Sequence, residues 1–511
     1  MKNLLLVSAL IAASGLQAAD WLMFGGDPQR TGWARNENTL SPENAAKLRL
    51  QWSLKLDNAA KELNSLSAPI VVENVITPRG FKDIVITAGS SDKVFAIDAD
   101  TGIILWQKSF EIEGSPKSPK SDWLCPNALN ATPVIDKRNK NLHVLTSDGK
   151  LHTLNYVNGE DQKAPTQFVP PFAKAWSLNI HRGVLYTTTS QGCNGVRSAI
   201  YAMDLNDPNR PVKSIQSSPT GGAGIWGRAG AAVSNTTGLI YAETGDGSFD
   251  PETGKYSDTF LGVSSDMKLA DYYTPANRAW ISKKDLDMGN ISPVIFPFED
   301  WELVAGGGKE GVLFLLDSKS LGGADHRTPL FRSPLYTNED VDFAGRGFWG
   351  ALSTWQDPKG TRWLYAPAWG PPASSAPQFP IAYGDTKGGS IMAFKVVSKD
   401  KKPLLEPAWI SRDMSVPEPA VIANGVVLAL SNGENVRQVD SGGKLFTSLE
   451  RANTPSGNAT LYALDAATGK ELFSSAKTMP GFSHFSGLAV ASGRIYVVTW
   501  DCTIYAFGVP Q

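Results

Sequence analysis

Cysteine is scarce in this chain, and Cys125, Cys193 and Cys502 are its three occurrences in 511 residues. None of them stands in a Cys-x-x-Cys-His motif or in a spacing typical of zinc ligands, which excludes a covalently bound haem and a structural zinc site. In an oxidising compartment two of the three cysteines can pair, which leaves one over.

An excess of charge of one sign is absent as well. Lys and Arg together number 48 against 50 Asp and Glu, which gives a formal net charge of −2. Without a basic excess the chain has little to neutralise a phosphate backbone, so we expect no nucleic-acid partner.

Long apolar runs are confined to the N-terminus, where residues 4–16 follow Lys2 and precede Ala18 and Ala19. A basic residue, an apolar stretch and small residues, in that order, are typical of a secretion signal. The run is too short to span a bilayer comfortably and no second run follows, so we predict no membrane span. We assign residues 1–19 to a signal peptide and expect a periplasmic or secreted protein. No cysteine follows the cleavage region, which argues against a lipid anchor.

The residues that are plentiful favour an all-β protein, with 48 Gly, 33 Pro and 15 Trp, and only 19% of the residues are charged. A chain of this length exceeds one ordinary compact core unless it repeats a unit that packs against its own copies. Such a unit is visible at residues 96–106 and again at residues 462–473. Each copy has a strand, a turn ending in Thr-Gly, and a second strand with an aromatic residue, Trp106 in the first and Phe473 in the second.

A strand–turn–strand unit with an aromatic residue at a fixed offset predicts a β-propeller. The strand around Trp52 lacks upstream partners, and we expect these partners from residues 494–498 and 503–507. Mixing both termini in one blade closes the ring and removes free sheet edges. The predicted fold is an all-β, eight-bladed propeller of four-stranded antiparallel blades, with residues 20–511 as a single domain.

The other seven blades are predicted from strand pairs and turn residues. They are expected at about residues 67–110, 131–156, 183–204, 225–266, 291–317, 348–409 and 416–473.

Two connecting stretches, residues 115–130 and 268–290, are too long to be simple turns. Long loops on one face of a propeller are where a functional site is expected.

The repeat resembles the tryptophan-docking repeat of the pyrroloquinoline quinone (PQQ) propellers, in which Ala, Asp, Gly and Trp hold the spacing of Ala96, Asp98, Gly102 and Trp106. The resemblance to the quinoprotein alcohol dehydrogenase group extends over nearly the whole mature chain. It implies an exported dehydrogenase that oxidises a small alcohol with PQQ and a divalent metal such as Ca²⁺. It also implies an external electron acceptor such as a cytochrome.

The resemblance also implies roles for four residues. Trp226, in a Gly-Ile-Trp-Gly motif, matches the residue on which the planar quinone stacks, and Lys309, in a Gly-rich hairpin, matches the basic residue that binds the quinone oxygens. Asp246 takes the position of a metal-binding Asn, and Asp287 matches the catalytic base, which is also a metal ligand.

Each of these four residues also has an ordinary structural interpretation. Trp226 can be one more aromatic residue packed between blades, and Asp246 can be a turn residue beside Gly247. Asp287 can belong to a solvated acidic loop, and Lys309 can be an exposed hairpin lysine.

Two features depart from the family pattern. Cys193 stands where the family has a Ca²⁺-ligating Glu, and sulfur is a poor ligand for calcium. The family's adjacent disulfide-bonded cysteine pair over the quinone is missing, and only Cys125 lies in that neighbourhood. Our hypothesis is that Cys125 and Cys193 form one disulfide across the face of the ring.

Two other functions stay open. Propellers with this repeat also serve as non-catalytic scaffolds in assembly, because a fold alone does not determine function. A binding protein for a small polyol or polymer is the other alternative, with the aromatic and Pro-rich loop at residues 369–383 as its surface.

Overall fold

The computed structural model describes residues 19–510. The predicted signal peptide, residues 1–19, therefore lies outside the described residues apart from Ala19. The described part consists mainly of β-strands, and no helix in it combines the length and apolarity that a membrane crossing requires.

The strands form eight consecutive blades around a ring, which confirms the predicted eight-bladed propeller. The strands of blades 1 to 4 are, in order, Ile70–Thr77, Gly80–Gly89, Lys93–Asp98 and Ile104–Ser109; Val134–Asp136, Asn141–Leu145, Lys150–Asn155 and Asp161–Gln167; Asn179–His181, Val184–Ser190, Ala199–Asp204 and Val212–Gln216; and Ala232–Val233, Ile240–Glu243, Phe260–Val263 and Leu269–Tyr273. Those of blades 5 to 8 are Val294–Phe298, Trp301–Gly306, Phe314–Asp317 and Phe331–Arg332; Ser353–Gln356, Arg362–Trp369, Gly389–Lys399 and Lys402–Ile410; Val421–Ala423, Val426–Ser431, Thr460–Asp465 and Glu471–Ser474; and Leu488–Ala491, Arg494–Thr499, Thr503–Gly508 and Arg49–Lys55.

Short elements extend or connect the blades. Additional two-residue strands are Trp33–Ala34, Lys174–Ala175, Phe249–Asp250, Lys255–Tyr256, Ile291–Ser292, Gly347–Phe348, Gly350–Ala351 and Ile381–Ala382. The α-helices are Arg278–Lys283 and Ser448–Ala452, and the 3₁₀-helices are Ala45–Lys47, Lys137–Asn139, Cys193–Gly195, Pro251–Thr253 and Gly323–Asp325.

The ring is closed by strands from both ends of the chain. Strand Arg49–Lys55 pairs antiparallel with Thr503–Gly508, and Trp52 lies opposite Ala506. This is the predicted closure, and it gives the last C-terminal strand a hydrogen-bonded partner where it would otherwise be an open edge.

Tryptophans dock one blade onto the next and explain the repeated sequence frame. Each indole ring packs on a turn glycine of the following blade, and its N–H donates to the backbone oxygen three residues before that glycine. At Gly102, where φ is +71°, a Cβ atom would lie 2.7 Å from the Trp52 ring, so the turn requires glycine. The docked sets are Trp52 with Ala99 O (2.9 Å) and Gly102, Trp106 with Tyr156 O (3.0 Å) and Gly159, and Trp409 with Ala466 O (3.0 Å) and Gly469.

The apolar core lies between neighbouring blades and not at one centre. Ile86 and Val94 of blade 1, for example, share one buried cluster with Leu142 and Val144 of blade 2. Each blade thus buries both faces against its neighbours, which is how a chain of this length remains one ring.

One of the two predicted long loops is shorter than expected. Residues 268–290 begin with strand Leu269–Tyr273, which completes blade 4 by pairing with Phe260–Val263, and continue with helix Arg278–Lys283. Without Leu269–Tyr273 the blade would have three strands, and Phe260–Val263 would have an open edge. The fourth strand pairs with that edge before the chain continues to the next blade.

Candidate functional site

A cavity of about 710 Å³ lies where loops from blades around the whole ring converge, which places it on the ring axis. Trp226, Asp246, Asp287 and Lys309, the four residues selected from the sequence, all line it. The structure therefore brings together side chains that are up to 83 residues apart in sequence (226 to 309).

An aromatic wall forms one side of the cavity. The half-buried Trp226 meets Trp349 edge to face with ring centroids 5.5 Å apart, and Trp349 stacks on Trp369 at 4.3 Å. Phe485 continues the stack at 5.6 Å from Trp369. The wall offers flat apolar surfaces to a planar ligand.

Opposite charges meet beside Trp226. The ammonium group of Lys309 lies 2.9 Å from Asp287 Oδ2 and 3.0 Å from Asp285 Oδ1, and 5.3 Å from the centre of the Trp226 ring. The Asp246 backbone N–H donates to Asp287 Oδ1 at 2.8 Å. Lys309 and Asp287 are both buried, so neither is an exposed loop residue, whereas Asp246 is accessible to solvent.

The protonation of this group is set by burial and by mutual charge. Burial, followed by the charges of Asp287 and Asp285, raises the pKa of Asp246 to about 6. Burial likewise raises the pKa of Asp285 against the opposing effect of Lys309. Burial alone would lower the pKa of Lys309, but the charges of Asp287 and Asp285 outweigh it and raise that pKa. The lysine therefore stays charged and holds the carboxylates together.

Close backbone packing fixes the relative position of Trp226 and Asp287. The Trp226 N–H donates to Gly289 O at 3.0 Å, and the Gly245 N–H donates to Gly224 O at 2.8 Å. A Cβ atom on Gly289 would lie 2.2 Å from Gly224 O, so only glycine permits this contact. The segments that carry the aromatic surface and the acid thus form one rigid unit.

The donor set fits a hard metal ion. One oxygen each from Asp246, Asp285 and Asp287 lies within 4.8 Å of the other two. Carboxylate oxygens are the ligands that Ca²⁺ and similar cations prefer, and three of them carry more negative charge than Lys309 alone neutralises. Cys193 cannot take part as a thiolate, because its sulfur is in a disulfide.

A disulfide joins Cys125 to Cys193, as hypothesised, while Cys502 is a buried free thiol. The bridge ties loop 115–130 to the turn after the second strand of blade 3. Leu124 and Gly192, the neighbours of the two cysteines, line the cavity, so the bridge forms part of the frame around it.

Asp285 is a site residue that the sequence analysis did not select. It lies two residues before Asp287, and that Asp-x-Asp spacing was the available signal. Its left-handed backbone, with φ of +56°, turns the chain so that both carboxylates reach Lys309. No propensity rule places an aspartate in that conformation reliably.

A second buried charged group on the cavity wall was also not predicted. Glu434 is fully buried and bonds to Arg451 through one oxygen and to His484 Nδ1 through the other, at 2.6 Å. Burial lowers the pKa of His484 to about 4, although Glu434 opposes this, so the imidazole is neutral at pH 7. These residues come from blades 7 and 8, and no sequence motif connects them.

The loop proposed as a binding surface does not present its aromatic residues together. Trp369 is buried in the aromatic wall, and its indole N–H donates to Pro417 O at 3.0 Å. Tyr383 is exposed and its hydroxyl donates to Thr468 O at 3.1 Å.

Two family models match the ends of the chain. The model described as the β-propeller domain of glucose, ethanol and alcohol dehydrogenases, a PQQ family, matches residues 21–168. A second PQQ model, described as outer membrane protein assembly factor BamB, matches residues 408–509. A comparison with curated protein sequences found no match.

Solved structures with a similar fold include three dehydrogenases. The quinohemoprotein alcohol dehydrogenase from Comamonas testosteroni is 16% identical over 96% of this chain and 80% of its own, with a TM-score of 0.61. A europium-containing methanol dehydrogenase is 14% identical over 96% and 98%, with a TM-score of 0.62. The quinohemoprotein alcohol dehydrogenase ADHIIG from Pseudomonas putida HK5 is 15% identical over 99% and 82%, with a TM-score of 0.59. At these identities the similarity establishes the fold.

Proposed function

We propose, on the premise that this chain is a PQQ-type β-propeller by its repeat and its fold, that it is an exported quinoprotein-type dehydrogenase that oxidises an alcohol. The observation that carries the proposal is the convergence of Trp226, Asp246, Asp287 and Lys309 on one axial cavity. A scaffold role does not require a buried lysine paired with two aspartates beside an aromatic wall that lines a cavity.

Trp226 and Lys309 would hold the cofactor. When bound, PQQ supplies a quinone that accepts two electrons from the alcohol carbon. Trp226 offers its indole face to the planar ring system, and the Lys309 ammonium group, 5.3 Å from the ring centre, is placed to donate hydrogen bonds to the quinone oxygens.

Asp287 would accept the proton of the substrate hydroxyl group. Its Oδ1 is held by the Asp246 N–H, while its Oδ2 faces Lys309. One oxygen is thus fixed by the backbone, and the other lies in the cavity among charged groups that can receive or release a proton.

Asp246, Asp285 and Asp287 would hold the metal ion. Three carboxylates suit Ca²⁺ or a more highly charged hard cation. One of the similar folds is a europium-containing methanol dehydrogenase, which makes a trivalent ion a reasonable second probe. We propose a periplasmic location, from the predicted signal at residues 1–19, and an external electron acceptor such as a cytochrome.

Reconstitution tests the proposal. Purified protein is titrated with PQQ in the presence of Ca²⁺ or Eu³⁺, and quinone absorbance and alcohol-dependent dye reduction are measured. We expect saturable binding and turnover with both ligands present. Binding without turnover would favour a non-catalytic relic, and no binding at all would contradict the proposal.

The Asp287→Asn variant tests the proton acceptor. Asn keeps an oxygen for the Asp246 N–H but cannot take a proton, so we expect turnover to fall by about 10²–10⁴-fold with PQQ binding retained. Asp266→Asn is the matched control, because Asp266 is exposed and pairs with Lys213 away from the cavity. Undiminished turnover in Asp287→Asn would reject this residue as the base.

A further inference from the structure

A small side pocket of about 50 Å³ adjoins the main cavity, and the two spaces differ in the charged residues that line them. Lys174, Arg228 and His484 line both spaces, and Thr132 and Asn130 line the side pocket alone. No aspartate or glutamate among the described residues lines the side pocket, whereas the acidic group around Asp287 lines the main cavity. The side pocket is therefore lined by cations without a carboxylate, whereas the main cavity is lined by groups of both signs.

Arg228 is a buried guanidinium group without a bonding partner. The residue is 9% exposed, no described group accepts a hydrogen bond from its side chain, and no described carboxylate lies within ion-pair distance. Its central carbon lies 4.7 Å from the Trp176 ring centre and 3.1 Å from the Phe485 ring centre. A guanidinium that lies on ring faces keeps its in-plane N–H groups for another acceptor.

Lys174 places a second cation next to the first. Its ammonium group lies 5.2 Å from the Trp176 ring centre and makes one hydrogen bond, to Trp123 O at 3.3 Å. Strand Lys174–Ala175 pairs with Thr189 and Ser190 of blade 3, so its backbone is held in place. Burial, followed by repulsion from Arg228, lowers the pKa of Lys174 to about 7.

The nearest acids make no direct contact with this pair. Glu434 is engaged by Arg451 and His484, and Glu418 accepts from Asn432 Nδ2 at 3.2 Å and from the Phe485 N–H at 2.8 Å. His484 adds no charge at pH 7. Glu418 and Glu434 act on Arg228 through space, but no described carboxylate lies within ion-pair distance of either cation. An anionic ligand would add the direct ion pair that both cations lack.

We infer that Lys174 and Arg228 form a subsite for the carboxylate group of an organic acid. The planar, forked donors of Arg228 match a carboxylate, and the side pocket has room for a group of that size but not for a large ring system. The inference also names a substrate class, and this part of it rests on the proposed function. The alcohol is a hydroxy acid whose carboxylate binds at Arg228 while its hydroxyl reaches the main cavity.

Calorimetric binding to the mature protein without PQQ tests the subsite. Glycerate and glycerol form the probe pair, since they differ in one carboxylate. We expect glycerate to bind at least about tenfold more tightly than glycerol, and Arg228→Met or Lys174→Met to remove that difference. Lys213→Met, which alters an exposed lysine paired with Asp266, is the control and should bind glycerate normally. Equal binding of the two probes, or unchanged glycerate binding in both variants, would overturn the inference.

Thermal unfolding separates a ligand subsite from a structural role. Removing one of two cations that have no ion-pair partner should leave the melting temperature of the ligand-free variants equal to or above that of the wild type. Glycerate should raise the melting temperature of the wild type and of Lys213→Met but not of the two cavity variants. A strong loss of stability without any loss of glycerate stabilisation would contradict the inference.

Adding PQQ distinguishes the two sources of the carboxylate. If glycerate and PQQ bind together, the substrate assignment stands. If PQQ displaces glycerate, a carboxylate of the cofactor occupies the subsite and the hydroxy-acid assignment is wrong. Glycerate binding in a protein that does not bind PQQ would support the subsite and contradict the proposed function, so the two failures are distinguishable.

Discussion

Glu418 illustrates how the fold changes the chemistry of a single carboxyl group. It is buried behind the aromatic wall, where one oxygen accepts from Asn432 and from the Phe485 N–H. The other oxygen has no hydrogen-bond donor among the described residues. Burial raises the pKa of Glu418 to about 7, against the hydrogen bond from Asn432 and the charge of Arg228. The group is therefore partly protonated at neutral pH.

This shift predicts a pH-dependent stability. The folded pKa lies above the ordinary value of 4.5, so between about pH 4.5 and pH 7 the folded state binds a proton that the unfolded state has lost. The free energy of unfolding then falls as the pH rises through this window, by about 3 kcal/mol for this group. We expect Glu418→Gln to lack this pH-dependent contribution. The free energy of unfolding of the variant, relative to that of the wild type, should therefore rise from pH 4.5 to pH 8.

Urea unfolding at a series of pH values measures this difference. Glu406→Gln, at an exposed glutamate, is the control and should give a curve parallel to the wild type. A parallel curve for Glu418→Gln as well would show that the Glu418 pKa is not raised.

At the level of single residues, the sequence motifs predicted which residues belong to the site but not how their side chains are arranged in it. Trp226, Asp246, Asp287 and Lys309 stand in Gly-rich or acidic segments with a defined spacing, and the structure places them around one cavity. The sequence could not show that Lys309 is already neutralised by two aspartates. That pairing depends on the left-handed backbone at Asp285 and on Lys309, which the next blade supplies.

Among the connecting elements, loop 115–130 depends on the disulfide more than on its own structure. No strand or helix forms within these residues, and Cys125 anchors them to Cys193 across 68 positions of sequence. Because the bridge closes a long segment, its entropic contribution to stability is about 4 kcal/mol.

Reduction of the disulfide should therefore lower the unfolding temperature. The loss should coincide with increased proteolysis between residues 115 and 130, because no strand or helix holds that segment. Cys502→Ser is the matched control, since it removes the free thiol and should respond to reductant as the wild type does. Equal stability of oxidised and reduced protein would contradict this prediction.

For the whole molecule, stability depends on ring closure. Blade 8 exists because Arg49–Lys55 pairs with Thr503–Gly508, and Trp52 then docks on Gly102 of blade 1. One strand thus makes a sheet contact on one side and an indole contact on the other. Loss of either contact weakens the junction between the first and last blades.

Trp52→Ala tests this closure. The variant loses the packing on Gly102 and the hydrogen bond to Ala99 O, so we expect a loss of about 2–3 kcal/mol in the free energy of unfolding. A weakened junction should also expose strand edges of the first and last blades, and these edges should promote oligomers that gel filtration would detect. Trp280→Ala is the control, because Trp280 is 40% exposed and lies on the short helix after blade 4. Equal stability of the two variants would contradict the role of Trp52 in closure.

The architecture was accessible from local pattern alone. Ala96, Asp98, Gly102 and Trp106 carry a turn and a docking contact whose partners lie at fixed offsets, so the repeat frame predicts blades and their number. Ring closure followed from one unpaired strand and the need to cover an edge. The turn and the docking contact depend on short-range backbone geometry, which residue types report directly, whereas the closing strand pair was inferred from the strand that lacked a partner.

The charge distribution in the cavity was decided by the tertiary structure. Arg228, Lys174, Glu434 and His484 stand in four separate segments with no shared motif, and their protonation depends on burial and on neighbours from other blades. Desolvation and Coulomb interactions act through space, so they appear only when the ring has brought distant loops to its axis.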